Sequence, residues 1–362
     1  MPRPPSRPVT IYDVAQHAGV SKSLVSLVLR GSPQVSPARR EAVQASIAEL
    51  GYRPSRAAAS LAGRSNTIGV VIDEFSNLWF VDLLAGLRAG LDGTRFHVSV
   101  ADTALNGHLA ESPVQSFLAA RVDGLVIAGE PGELGVAEEL SVPTVVVGTR
   151  LHDVSGADHV IPDDRGGAAA AVEYLQQSGH ERIAFIGGPT GPAAERERGY
   201  REAMTQAALR PMVVLAESTT EAGGLSAARA LFVGAHGEAD GGAGAGAGAH
   251  GGAGSGLHGG AGAGSSVTAI VAANDLLALG AWQALRETGR RVPQDVSLIG
   301  YDDSPLAATG LVQLTSVDPC NEEVGRRAAE LLRSRIDDPA RSPRRVTVEP
   351  RLVHRATTTR SG

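Results

Sequence analysis

The chain has 362 residues, 33 basic and 39 acidic side chains, a formal net charge of −6 and a single cysteine, Cys320. This length predicts two or three domains with room for sizeable cores. One cysteine excludes an internal disulfide and a cysteine-rich metal site, and no apolar run approaches the roughly 20 residues needed to span a bilayer.

In chain order, the basic start MPRPPSRPV is followed by no apolar segment, so no secretory signal and no membrane association are expected. A reducing cytoplasm fits the lone cysteine. From Val9 to Gly63 the spacing predicts three short helices and a hinge. Thr10 is placed to cap the first, with Ile11, Val14, Ala15 and Ala18 on one face. Gly19 breaks it. Ser21 caps a second helix with Leu24, Val25, Val28 and Leu29 inward, leaving Lys22, Ser23 and Ser26 outward near its N-terminus. Two helices around a Gly-containing turn make a helix-turn-helix, whose second helix enters a major groove N-terminus first. Ser36-Pro37 opens a third helix, which Gly51 ends. An ordinary three-helix domain would show similar periodicity, but charge argues against it. Residues 1–65 carry a net +6 and the remainder −12, and a basic head on an acidic body is the footprint of phosphate binding.

YDVAQHAGVSKSLVSLVLRG, then VSPARREAV, then ELGYRPSRAAASLAG resemble the N-terminus of the lactose-repressor (LacI/GalR) family, densely and in order. The resemblance implies that Lys22 and Ser23 read bases in double-stranded operator DNA, with Ser26 and Leu27 on the same groove-facing side. Leu27 either touches a thymine methyl or packs. Thr10, Tyr12, Ser21, Arg30, Gln34 and Ser36 match backbone-contacting positions, which set register and affinity. Residues 55–65 match the hinge: Arg56 would sit on phosphate, and Leu61 would wedge between central base pairs of the minor groove or pack on the next domain. A run of alanines this short holds no helix alone in water.

Past residue 66, β-branched runs alternate with helix-length segments. IGVVI (68–72), HVSVA (97–101), GLVIA (124–128), TVVVG (144–148), RIAFIG (182–187), MVVLA (212–216), TAIVA (268–272) and VSLIG (296–300) read as buried parallel strands. The alternation predicts doubly wound α/β structure. SNLWF, GHERIAFIGGP, the run from Ala273 through YDD, and LTSVDPCNEEVGRRAAELL match the family's body. That body is expected to be a two-lobed, periplasmic-binding-protein-like effector domain. Chain crossings are expected near Ile161–Asp164, Arg291–Asp295 and Ser316–Asn321. Lobe 1 would then hold about 66–161 and 292–318, and lobe 2 about 164–290 and 321–362. Residues 234–266 are nearly all Gly, Ala, Ser and His and cannot bury enough apolar area to offset ordering entropy, so disorder is expected. Their GAGAHG only mimics a dinucleotide loop. Their histidines, His236, His250 and His258, have no ligand-like spacing.

Ligands of open α/β sheets bind outside the C-terminal ends of strands. The candidates there are Asn77, Trp79 and Phe80 after the first strand and Arg150 after the fourth; the resemblance implies two more, Arg196 (or Arg198) shortly before the Gly-aromatic pair after the fifth strand, and Asp275 after the seventh at a position that accepts from ligand hydroxyls. The aromatics either stack on a ligand ring or pack in the core. Asp275 either accepts from ligand hydroxyls or caps a helix, and the arginines either face the ligand or are surface charges. Arginines and carboxylates across a cleft suit a polyhydroxylated ligand, so a sugar or related metabolite is the expected effector. An enzyme is disfavoured, since no nucleophile elbow, P-loop, metal cluster or cofactor loop is present, and no metal or cofactor is expected. A transport protein is disfavoured by the basic head. The expectation is a cytoplasmic, nucleoid-associated, homodimeric regulator, and the resemblance implies a repressor.

Overall fold

The computed structural model describes residues 9–29, 31–52, 65–75, 79–108, 112–130, 140–150, 152–233 and 267–359. Two compact units result: Met1–Thr67 with Phe117–Asp123, and Ile68–Ser116 with Gly124–Gly362.

The first unit holds α1 (Ile11–His17), α2 (Lys22–Leu29) and α3 (Pro37–Leu50). Val14, Ala15, Val25, Val28, Val35, Val43 and Tyr52 form its small core. The hydroxyl and amide of Thr10 both donate to the Asp13 carboxylate at 2.7 Å, a reciprocal N-terminal lock. The amide of Leu24 donates to Ser21 Oγ at 3.3 Å, so Ser21 caps α2 as expected. Gly51 ends α3 at φ +61°, a conformation that costs an L side chain about 1–2 kcal/mol. His17 Nδ1 and Ser46 Oγ, 3.1 Å apart, tie α1 to α3. Leu29, expected inward, is 39% exposed.

In the second unit, with Thr67 and the end of α6 from Phe117 counted in the first, the elements are β1 (Thr67–Ile72), α4 (Trp79–Gly90), β2 (His97–Asp102), α5 (Thr103–Asn106), α6 (Pro113–Ala119), β3 (Gly124–Ile127), β4 (Thr144–Val147) and β5 (Asp158–Pro162). After them come α7 (Asp164–Gln177), β6 (Ile183–Gly187), α8 (Gly191–Gln206), β7 (Met212–Leu215), α9 (Glu221–Val233), β8 (Ala269–Ala272), α10 (Asp275–Glu287), β9 (Ser297–Tyr301), β10 (Thr315–Asp318), α11 (Asn321–Asp337), β11 (Arg345–Val348) and β12 (Arg351–Val353). They build two six-stranded sheets, ordered β11-β5-β4-β3-β1-β2 and β12-β10-β9-β8-β6-β7. All described pairings are parallel except β10–β12. The central strands are buried on both faces, which is why they read as unbroken Val/Ile runs.

The lobe boundaries expected from sequence need correcting. Residues 292–318 do not belong to lobe 1: β9 lies between β8 and β10 in the second sheet. The stretch 321–362 does not belong to lobe 2 as a block, because α11 and β11 pack in the first lobe and only β12 and the residues after it join the second. The chain does not cross near Arg291–Asp295. It crosses at 162–164, at 318–321 and at 348–351. The physical reason is the ordinary one for parallel strands: β8–α10–β9 is a single crossover unit joining neighbours in one sheet.

In the first lobe α4 and α11 cross at touching distance. A Cβ at Gly86 would lie 1.9 Å from the carbonyl oxygen of Glu322, and one at Gly325 2.2 Å from that of Leu83. No helix among the described residues is long and apolar enough to cross a membrane, and no cluster among them could hold a metal. The expected disordered run 234–266, with its histidines, lies outside the described residues.

Candidate functional site

Two surfaces carry the candidate residues, one in each unit. On the helical unit, Ser21, Lys22 and Ser23 are exposed at the start of α2, and Ser26 is half-buried one turn on. Lys22 Nζ donates to the Tyr12 hydroxyl at 3.1 Å and lies 4.8 Å from the centre of its ring. Tyr12 is 63% exposed, so nothing in its own core holds it. Its ring instead props the only lysine of the chain upright at the helix start. Leu27 is half-buried against the core, which favours packing at least in part. Gln34 and Ser36 are exposed in the turn before α3 and at its N-cap. Thr10 is tied to Asp13 as described. Arg30, Arg56 and Leu61 lie outside the described residues.

In the α/β unit, the loops after β1, β4, β6, β8 and β9 meet around a cleft of about 470 Å³ between the two sheets. It brings together Trp79, Phe80, Arg150, Arg196 and Asp275, five of the six residues expected there. Asn77 lies outside the described residues. Phe80 packs in the first lobe's core, one of its two expected roles, and also lines the cleft. Trp79 meets it edge-on, with ring centres 4.9 Å apart, and Arg150 stands 5.5 Å above the indole.

Arg150 is anchored to backbone. Its Nε donates to the Val147 carbonyl at 2.9 Å and its Nη2 to that of Ala128, while Nη1 stands 4.0 Å from Asp73. Burial lowers its pKa against the pull of Asp73 and Glu130. Arg196 is 6% exposed. Nε donates to Asp164 Oδ1 at 2.7 Å, and Nη1 donates to the Ala273 carbonyl at 2.6 Å and faces Asp302 Oδ1 at 3.1 Å. The guanidinium lies 3.6 Å from the Tyr301 ring centre. Burial pulls its pKa down, but Asp164 and Asp302 outweigh that and hold it above its ordinary value. The neighbouring Arg198 instead pairs with Glu195 on the exposed face of α8.

Asp275 is not the cap of α10. Asn274 is: its Oδ1 accepts from the Leu277 amide at 2.8 Å and its Nδ2 donates to the Thr219 carbonyl at 2.9 Å. The Asp275 carboxylate turns to Ser316 Oγ (2.6 Å) and the Ser304 amide (2.7 Å). Burial pushes its pKa up to about 6. Burial, with Asp275 and Asp164 nearby, pushes Asp302 up to about 7 despite Arg196.

Sequence reasoning missed Asp164, Asp302 and Thr149. Thr149, at the end of β4, donates to Asp164 Oδ2 at 2.6 Å and so bonds one lobe to the start of α7 in the other. Asp302 and Asp303 have φ of +99° and +46°, a backbone region that most L residues avoid. A usable signal existed, because both Asp302 and Thr149 fall directly after strand C-termini.

Comparison with known proteins agrees with this layout. The model of bacterial regulatory proteins of the lacI family matches residues 10–55. That of periplasmic binding proteins and the sugar-binding domain of the LacI family matches 65–256, and a periplasmic-binding-protein-like model matches 172–358. The HTH-type transcriptional regulator CelR of Thermobifida fusca is 34% identical, covering 96% of this chain and 97% of its own. The ribose operon repressor of Haemophilus influenzae is 30% identical over 96% and 97%. Among solved structures, a CelR–cellobiose complex superposes with TM-score 0.64 at 31% identity, covering 97% of this chain and 100% of that one. The lac repressor dimer bound to operator and the anti-inducer ONPF superposes with TM-score 0.74 at 27% identity, covering 97% and 99%. With a helix-turn-helix unit ahead of a two-sheet ligand-cleft unit and relatives matched end to end, the chain belongs to the LacI family of bacterial regulatory proteins, the DNA-binding transcriptional regulators.

Proposed function

We propose that this regulator is a repressor that binds a two-fold-symmetric operator as a homodimer and is controlled by a sugar in the interlobe cleft. The observation that carries this is the cleft itself: an aromatic wall of Trp79 and Phe80 facing fixed carboxylates and arginines. Sugars present apolar ring faces and many hydroxyls, and such a pocket meets both. Relatives crystallised with cellobiose and with operator support the two halves of the reading.

On this reading Lys22, Ser23 and Ser26 face base edges. Lys22 donates to guanine as a point charge, where an arginine would form a two-pronged contact. Thr10, Tyr12, Ser21, Gln34 and Ser36 meet the backbone, joined by Arg30 and Arg56, with Leu61 as the minor-groove wedge. Trp79, Phe80, Arg150, Arg196, Asp275 and Asn77 hold the ligand. The Thr149–Asp164 bond links the lobes, so a ligand that favours one lobe arrangement shifts the population of DNA-competent molecules through its differential affinity. The same kinship favours a regulator in the cytoplasm, at the nucleoid, over a catalyst.

The test is fluorescence anisotropy of a labelled duplex from the region flanking the protein's own gene, titrated at several salt concentrations with and without a sugar panel. Tight, steeply salt-dependent binding that one sugar alters is expected. Binding with no preference among duplexes, unmoved by every sugar, would refute the proposal.

A further inference from the structure

The charges lining the cleft are unbalanced. Asp73, Glu74, Asp82, Asp164, Asp275 and Asp302 face it, against Arg150 and Arg196. The charge of Arg196 is taken up by carboxylates, and that of Arg150 is partly offset by Asp73 at 4.0 Å. Arg196 has two carboxylates within 3.1 Å and a backbone carbonyl at 2.6 Å. Arg150 spends Nε and Nη2 on carbonyls and its face on Trp79. What remains toward the cavity is an excess of carboxylates, with the hydroxyl residues Thr190, Thr219, Thr220 and Ser304 and a few N–H donors. Arg196 Nη2, for one, has no bond to any described residue.

We infer that the cleft selects an uncharged, hydroxyl-rich sugar and rejects the phosphate ester of that same sugar. The inference rests on the sugar-effector reading above and narrows it. Hydroxyls donate to carboxylates, and a ring or hydroxyl oxygen accepts from the remaining arginine N–H. A phosphate offers only acceptors, and its negative charge must sit several ångströms from carboxylates that outnumber the two arginines three to one. At such separations like-charge repulsion near a protein surface weakens binding on the order of 100-fold.

The experiment is calorimetric titration of the full chain at pH 8 and low ionic strength. The probes are D-ribose, D-glucose and cellobiose, the phosphate monoester of each, and inorganic phosphate alone. At that pH the raised carboxylates of Asp275 and Asp302 are ionised. At least one parent sugar should bind, its ester about 100-fold more weakly, and inorganic phosphate not at all. In Asp302→Asn, which returns part of the Arg196 charge to the cleft, the gap between sugar and ester should narrow by about tenfold. An ester bound as tightly as its parent, or a gap unchanged in Asp302→Asn, would overturn the inference while leaving the sugar reading intact. No binding by any sugar or ester would overturn the sugar reading and this inference with it.

Discussion

Replacing Arg196 with methionine keeps most of the side-chain volume and removes the charge that holds Asp164 and Asp302. Asp164 is 2% exposed and would lose its 2.7 Å partner, keeping Thr149 alone among its described partners. Removing one member of a buried ion pair costs about 3–5 kcal/mol, because the survivor stays buried and uncompensated. Loss of the stack on Tyr301 adds about 1 kcal/mol. Protonation limits the damage. Asp302 already titrates near pH 7 with Arg196 present, and without the arginine its pKa moves higher still. The native variant therefore binds protons that the unfolded chain, with carboxylates near 4, does not, so its stability is greatest at low pH and is lost as pH rises. The expected loss relative to wild type is about 4–5 kcal/mol at pH 8 and about 2–3 kcal/mol at pH 6. Urea unfolding followed by the fluorescence of Trp79 and Trp282 measures it. A loss below about 1 kcal/mol at pH 8, or losses equal at the two pH values, would refute the account of Arg196 as the counter-charge of these carboxylates.

Asp275→Asn should weaken effector binding by at least about tenfold, about 1.4 kcal/mol, while leaving operator affinity without effector unchanged; paired titrations of sugar and duplex check this. Lys22→Ala should lower operator affinity by about 1–3 kcal/mol and relax discrimination at one base pair of each half-site, read by competition with single-substitution duplexes. Gly86→Ala must push α4 off the Glu322 carbonyl and should cost about 3 kcal/mol in urea unfolding, with the far ends of both helices unchanged by hydrogen exchange. Deleting residues 234–266 should leave sugar affinity within twofold. The deletion joins α9 to the N-terminal end of β8, while the cleft lies at the strand's other end, at Ala273–Leu276.

Eight strands were legible as short β-branched runs; six of them are buried, while β2 and β7, at the sheet edges, are half-buried or exposed and are marked by residue type alone. The four that escaped share a cause: their burial is polar or partial. β5, DHVIP, carries Asp158, fully buried and held by Arg335 and Arg341; those contacts keep its carboxyl low, at about 2, against the cost of burial. β10, TSVD, buries Thr315 and Ser316 in hydrogen bonds to Thr358 and Asp275. β11 and β12 are edge strands of polar composition, half exposed, so no apolar alternation marks them. Missing those two is what misplaced the third crossing. In the cleft, Trp79, Phe80 and Arg150 could be found from the rule that ligands sit beyond strand C-termini, and Arg196 and Asp275 from that rule together with the family resemblance. Asp164 and Asp302 were hidden because an aspartate at a helix start or in a turn has a sufficient local reason to be there.

The 348–351 crossing bears on how the molecule is made. The first sheet takes an edge strand from residues 345–348, and the second sheet from residues 351–353. On a ribosome, the strands encoded earliest wait for residues 345–353 to emerge before their sheet can be completed. Both lobes acquire their last strand within a few codons of each other. Partners so distant in sequence make slow, non-local folding, with hydrophobic edges open meanwhile. Nascent chains of this regulator should therefore stay chaperone-dependent until residues 345–353 have left the ribosome.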